Sequence, residues 1–138
     1  KPCKFYGIDR DKWVNDTVNE IKKYTDKEII IRDKSLRRER VGSNNIYSQF
    51  DEDNIFALVT YQSIAAIEAI GHGIPAFTLA PTAADSLCLK DLSRIETPLY
   101  EDSEKIRAWQ NWLAHCQYTP GEMINRQAIN IIEKYNLC

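Results

Sequence analysis

The sequence predicts an α/β fold in which helices cover both faces of a parallel sheet and two amphipathic helices end the chain. Short apolar runs alternate with segments of helical periodicity. One of these runs, residues 54–60, is nearly continuous, as in a parallel strand that is buried on both faces. Parallel strands joined by right-handed crossovers bind ligands outside their carboxyl ends, so a site is expected there.

Two strands and a helix are predicted in the first part of the chain. Residues 4–8 are mildly apolar and residues 28–32 are rich in isoleucine, and both segments are bounded by polar residues. Between them, apolar residues recur with helical spacing over residues 12–24, and Asp9 or Asp11 can cap this helix. The order strand, helix, strand is that of the predicted parallel sheet.

The most informative segment follows the strand at residues 54–60. Ser63 can cap a short helix, small residues suit its packing on the sheet, and glycines 71 and 73 end it. The next strand is predicted at residues 76–80. The first N–H groups of the helix would then point out at the carboxyl edge of the sheet, where a phosphate can bind.

Polar sequence precedes this segment and helical sequence follows it. Residues 34–53 predict a short helix or loop at best, around residues 45–50. Near the end of the chain, Pro120 marks the start of the second of two amphipathic helices, and Trp109 is expected in the core. The apolar stripes of these two helices are Ile106, Trp109, Leu113 and Cys116 in the first and Ile124, Ala128, Ile131 and Tyr135 in the second.

Length and composition predict one domain over residues 1–138. The chain has 43% hydrophobic and 28% charged residues, and its net charge is −2. This charge predicts no binding to nucleic acid, and the sequence contains no apolar stretch of the ~20 residues that a membrane span needs.

The cysteines and histidines predict no metal site. Cys3, Cys88, Cys116 and Cys138 form no Cys-x-x-Cys pair, and the two histidines add no metal-ligand spacing. Free thiols favour a reducing compartment, so the sequence predicts a cytoplasmic protein. No cofactor is predicted.

The pattern from Ser63 to Pro75, Ser-Ile-Ala-Ala-Ile-Glu-Ala-Ile-Gly-His-Gly-Ile-Pro, resembles the donor-site signature of nucleotide-sugar glycosyltransferases with the two-domain glycosyltransferase B fold. The resemblance implies a Rossmann-like domain in which Glu68 takes the ribose hydroxyls. It also implies that Ser63 and the backbone of Ile64 and Ala65 lie near the diphosphate. Residues 91–98 resemble the tails of small glycosyltransferase-like proteins of bacteriophages and bacteria.

Further candidate site residues follow from this resemblance. Basic residues on the loop after the second strand neutralise the leaving diphosphate in such enzymes without a metal, and Arg32 and Lys34 resemble them. Thr82, after the strand at residues 76–80, is placed to contact the donor sugar. Asp85 can serve the same purpose, but the sequence favours it as the cap of the next short helix.

The resemblance covers only part of such an enzyme. Its signature belongs to the C-terminal, donor-binding half, so the acceptor site or an N-terminal domain is expected outside this chain. Many retaining members carry a second glutamate where this chain has Thr60, so a retaining mechanism does not follow. No residue is identified as the catalytic base. His72, between two glycines, predicts a helix cap or a surface imidazole.

Several alternatives stay open. Glu68 can be an exposed helix residue and Ser63 only a cap. The chain can also be a noncatalytic nucleotide-binding module, an interaction or structural protein with a vestigial site, or a nucleotide-sugar epimerase.

Overall fold

The computed structural model describes residues 7–32, 46–52 and 54–135. They belong to two compact units, 1–101 and 102–138. Among the described residues, no helix is both long and apolar enough to cross a membrane. The first unit contains α1 (Arg10–Ile21), α2 (Ile46–Glu52), β1 (Leu58–Thr60), α3 (Ala65–Gly71), β2 (Ala76–Thr78) and two short 3-10 turns (Asp85–Leu87 and Leu92–Arg94). The second unit contains α4 (Ser103–His115), α5 (Pro120–Ile124) and α6 (Gln127–Tyr135).

The sheet is small and parallel. β1 pairs with β2 in parallel, with Val59 opposite Phe77, and α3 forms the crossover between them. A single parallel bridge joins Phe77 to Leu89 on the other side of β2. All three residues of β2 are buried, whereas those of β1 are only partly buried. The predicted mixture of helices and a parallel sheet is therefore confirmed, but the sheet in the described part of the chain has two strands.

Both strands of the crossover are shorter than predicted. The strand expected over residues 54–60 begins at Leu58. Asn54 has a φ of 46°, in the left-handed region, which an extended strand cannot contain. The strand expected over residues 76–80 ends at Thr78.

Helix α1 begins at Arg10, two residues before the predicted start at residue 12, and its cap is the first of the two predicted candidates. Asp9 is the N-cap, and its Oδ1 accepts a hydrogen bond of 3.1 Å from the Lys12 N–H. The helix ends at Ile21, three residues before the predicted end. The short helix expected around residues 45–50 is present as α2, although residue 45 lies outside the described residues.

The strand predicted at residues 28–32 is wrong, since all five residues are described and none is in a strand. Ile30 and Ile31 are 50% and 57% exposed, and only Ile29 packs against the core. A β-branched run is stable as a strand only where a neighbouring strand and a covered face exist, and here most of the run faces solvent. Of the strand predicted at residues 4–8, residues 4–6 lie outside the described residues, and Gly7 is in a turn.

The core of the first unit forms around β2. Phe77 is fully buried and lies in one cluster with Ile21 of α1, Leu92 and Ile95. Partly buried apolar side chains pack against this cluster, among them Val59 of β1. The residues that pack against β2 therefore come from both the N-terminal and the C-terminal part of the first unit.

The described part of the second unit, residues 102–135, contains three helices where two were predicted. In α4, Trp109 is buried as predicted, whereas Cys116 is exposed at the C-cap. The helix predicted from Pro120 is interrupted because Arg126 has a φ of 60°, so α5 and α6 are separate helices. Ile124, at the end of α5, is 80% exposed, so the predicted second stripe does not continue through this break.

Candidate functional site

The carboxyl ends of β1 and β2 meet at one edge of the sheet because the strands are parallel. The two loops that follow them are tied together by a 2.9 Å hydrogen bond from the Ala80 N–H to the Tyr61 carbonyl. Gln62 Nε2 also donates to the Pro81 carbonyl at 2.8 Å. The structure thus brings the loops that carry two predicted site residues, Ser63 and Thr82, to the same edge.

The start of α3 shows where the Ser63 hydroxyl is used. Ser63 Oγ accepts a hydrogen bond of 3.2 Å from the Ala65 N–H, so Ser63 does satisfy a donor of the helix start. The N-cap position itself belongs to Ile64, one residue later than predicted. Ile64 is 63% exposed, one helical turn before Glu68 on the same face. The backbone donor of Ala65, predicted to contact a phosphate, already has a partner.

Glu68 is partly buried in α3 and accepts a hydrogen bond from a neighbouring helix. Tyr47 of α2 donates from Oη to Glu68 Oε1 at 3.3 Å. Partial burial, together with the Glu68 charge and this hydrogen bond, raises the pKa of the Tyr47 phenol. The phenol therefore stays protonated, and remains a donor, at neutral pH.

Three rings hold α2 against α3. The ring of Tyr47 lies 5.2 Å from that of His72, and the Phe50 ring lies 5.5 Å from His72. His72 is the C-cap of α3, as predicted, and its Nε2 is 3.7 Å from Asp51 Oδ1. Together these contacts fix the position of Tyr47 relative to Glu68. Tyr47 was not singled out from the sequence, although it and Phe50 are spaced as neighbours on a helix.

Thr82 is part of a separate network with Asp85. Asp85 Oδ1 accepts from the Thr82 N–H at 3.0 Å and from the Thr82 hydroxyl at 3.2 Å. Lys90 Nζ lies 2.8 Å from Asp85 Oδ2, and the contacts with Lys90 and Thr82 lower the pKa of Asp85. The predicted capping role of Asp85 is wrong, because its carboxylate binds back to Thr82 and Ala84 is the N-cap of the following 3-10 turn.

The basic residues predicted to bind a diphosphate are only partly described. Arg32 is exposed at the end of the first described segment. Lys34 lies outside the described residues. The role of Arg32 and Lys34 at a diphosphate therefore stays a prediction.

The chemistry of the described site is that of a hydrogen-bonding surface. Glu68 supplies carboxylate oxygens and Tyr47 a hydroxyl, which suit the hydroxyl groups of a sugar. Within the described residues, no three His, Cys, Asp or Glu side chains are grouped so that they could hold a metal ion. Burial raises the pKa of the Cys88 thiol to about 11, so Cys88 is not a nucleophile at neutral pH.

Comparison with known proteins finds no family model, no curated protein and no solved structure that matches the chain. What the chain binds has to be inferred from its own residues.

Proposed function

We propose that the chain is a Rossmann-like domain that binds a nucleotide-sugar donor, as the C-terminal half of a metal-independent glycosyltransferase. The observation that carries the proposal is the parallel β1–α3–β2 crossover with Glu68 in its helix. Open α/β sheets bind ligands at the carboxyl ends of their strands, and the loops at this edge are tied together by Gln62.

Glu68 is proposed to bind the ribose. An ionised carboxylate has about four acceptor positions, and the hydrogen bond from Tyr47 uses one of them. The 2′- and 3′-hydroxyls of a ribose are donors at the right spacing to share the rest. Hydrogen bonds to a charged acceptor are roughly twice as strong as those between neutral groups, so this contact would contribute strongly to affinity.

The diphosphate is proposed to lie near Ser63, Ile64 and Ala65, with Arg32 and Lys34 offsetting its charge. Fixed cations would stabilise the charge that develops on the leaving diphosphate without a metal ion. Because the Ala65 N–H already donates to Ser63 Oγ, a phosphate oxygen would have to share or replace that bond. The acceptor and the catalytic base are proposed to come from outside this chain.

One observation favours a second candidate, a module that binds a nucleotide without transferring a sugar. Asp85 follows β2 near the predicted sugar site, yet Lys90 and Thr82 pair with its carboxylate and lower its pKa. A carboxylate with a lowered pKa is a weak base, so Asp85 is poorly suited to deprotonate an acceptor. Without a base from another chain, the domain would bind the nucleotide and transfer no sugar.

The test is a thermal-shift screen with UDP, GDP, ADP and CDP and their sugar conjugates. A ligand that binds only the folded chain raises the melting temperature, because it stabilises the folded state. The free energy of stabilisation is about 2.7 kcal/mol when the ligand concentration is a hundred times Kd. We expect a shift with one base that is lost in Glu68→Ala. The matched control is Glu20→Ala, because Glu20 of α1 also accepts from a tyrosine hydroxyl, that of Tyr24.

Two results would contradict the proposal. One is the absence of a shift with any of the eight classes of ligand, and the other is an equal shift in wild type and Glu68→Ala. Adding the acceptor-binding partner then separates sugar transfer from simple binding. If the domain binds the donor but no turnover occurs with the partner present, it is the noncatalytic module.

A further inference from the structure

The tyrosine hydroxyl that reaches Glu68 is held in place from two sides. Tyr47 is 43% exposed, but its ring packs at 5.2 Å against the ring of His72, with the two planes inclined by 34°. Its other neighbour, Phe50, is 8% exposed, and the Tyr47 and Phe50 rings meet edge to face at 6.4 Å. The ring is thus fixed by α2 and by the end of α3, while its hydroxyl donates to the Glu68 carboxylate.

We propose that Tyr47 is a positioning residue that makes the Glu68 site select ribose over 2′-deoxyribose. This inference rests on the proposed function, since it assigns a specificity to the same site. Two observations support it: the 3.3 Å hydrogen bond from Tyr47 Oη to Glu68 Oε1 and the packing that fixes the ring.

The physical reason is the geometry of a vicinal diol. Both hydroxyl hydrogens of a ribose reach one carboxylate only when the plane of that carboxylate has one particular orientation. A donor that is already bound to Oε1 restricts the carboxylate before the ligand arrives, so less conformational entropy is lost on binding. A 2′-deoxyribose makes a single hydrogen bond, which many carboxylate orientations can accept. Tyr47 should therefore strengthen the binding of ribonucleotides more than that of deoxyribonucleotides.

The protonation state of the phenol suits this role. The pKa of Tyr47 is raised by partial burial and by the Glu68 charge, so the hydroxyl stays a donor throughout the neutral range. The other titratable group that packs against the ring is His72, whose imidazole faces Asp51. The hydrogen bond itself runs directly from Tyr47 Oη to Glu68 Oε1, so neither His72 nor Asp51 takes part in it.

The experiment compares four forms of the chain by isothermal titration calorimetry: wild type, Tyr47→Phe, Glu68→Gln and the double variant. The probes are UDP, GDP, ADP and CDP, each beside its 2′-deoxy form. Phenylalanine keeps the ring contacts and removes only the hydroxyl, and circular dichroism checks that each variant is folded. The matched control is Tyr24→Phe, which removes a tyrosine hydroxyl that donates to Glu20 at 3.0 Å on α1.

We expect Tyr47→Phe to weaken the ribonucleoside diphosphate about three- to tenfold and its 2′-deoxy form less than about twofold. Tyr24→Phe should change neither affinity. In the Glu68→Gln background, Tyr47→Phe should no longer alter the ratio of the two affinities, because the carboxylate on which it acts is absent.

Each contrary result has a distinct meaning. If the ribose preference disappears in Glu68→Gln but is unchanged in Tyr47→Phe, the inference is wrong and the proposed function stands. Equal weakening of both sugars by Tyr47→Phe also overturns the inference, because it would show a merely structural role. If wild type binds none of the nucleotides, both the inference and the proposed function are overturned.

Discussion

The hydroxyl of Thr78 donates a hydrogen bond of 3.4 Å to Asp85 Oδ1, which ties the buried end of β2 to the loop that follows it. Thr78 is fully buried, so its hydroxyl depends on partners within the protein. The same Asp85 oxygen accepts from Thr82, and the other oxygen pairs with Lys90. The loop at the carboxyl edge is therefore ordered by one carboxylate.

Asp85→Asn should make stability depend less on pH. The pairing with Lys90 and Thr82 lowers the pKa of folded Asp85 below its value of about 3.9 in the unfolded chain. Ionised Asp85 thus stabilises the fold above about pH 4, and this contribution is lost as the pH falls through the folded pKa. At pH 7 we expect the variant to be less stable by about 1 kcal/mol in urea unfolding.

The same measurement at low pH provides the check. Asparagine does not titrate, so the difference in free energy of unfolding between wild type and Asp85→Asn should shrink below about pH 4. A difference that stays constant from neutral to acid pH would show that the Asp85 charge does not stabilise the loop.

Local structural features could be predicted from the sequence because they depend on only a few neighbouring residues. The cap at Asp9, one of two predicted candidates, depends on a side chain three positions from its donor, and the burial of Trp109 follows from helical spacing. The crossover from β1 to β2 was also predicted, since its apolar runs and glycines are contiguous in sequence. These features needed no knowledge of distant parts of the chain.

Tertiary features were not predictable in this way. A β-branched run around Ile30 is compatible with a strand, but only the fold decides whether another strand lies beside it. The contact between Tyr47 and Glu68 joins residues 21 positions apart and exists because α2 packs on α3. The interruption at Arg126 comes from one backbone conformation that the helical periodicity does not encode.

Two glycine substitutions should have opposite effects on stability. Gly73 follows the C-cap of α3 with a φ of 76°, and a Cβ built there meets nothing within 4 Å. Gly73→Ala is therefore expected to destabilise by about 1 kcal/mol through backbone strain alone. Gly121 lies in α5 outside the left-handed region, and its added Cβ would make an ordinary 3.9 Å contact with Thr119 Oγ1. Gly121→Ala is expected to stabilise, by up to about 1 kcal/mol.

Urea unfolding of the two variants, compared with wild type, measures both effects. A Gly73→Ala variant at least as stable as wild type would contradict the strain argued for Gly73, and a Gly121→Ala variant less stable than wild type would contradict the gain expected at Gly121.

The thiols of Cys88 and Cys116 should differ strongly in reactivity. Cys88 is buried, and burial raises its pKa to about 11, whereas Cys116 is exposed. At pH 8 only about one Cys88 thiol in a thousand would be a thiolate, the form that reacts. Iodoacetamide should therefore label Cys116 long before Cys88, as followed by mass spectrometry of the peptides.

Two controls test whether burial causes the difference in labelling rate. In urea the two cysteines should react at similar rates, because burial is lost. In the folded chain, labelling of Cys88 should rise about tenfold per pH unit between pH 8 and pH 10, following its thiolate fraction. Rapid labelling of Cys88 at pH 8 in the folded chain would contradict the burial of this thiol.

Arg32→Ala should weaken the binding of phosphates selectively, if the proposed donor site is correct. A guanidinium binds a phosphate through charge-assisted, often bidentate hydrogen bonds, while a nucleoside offers it no anion. We expect the Kd of a nucleoside diphosphate to rise about ten- to a hundredfold and that of the matching nucleoside to stay within about twofold. Arg94→Ala, at an exposed arginine in the second 3-10 turn, is the control for the loss of one positive charge. Equal losses for nucleoside and diphosphate in Arg32→Ala, or equal losses in both arginine variants, would remove Arg32 from the phosphate site, because a direct contact must distinguish the charged ligand from the neutral one.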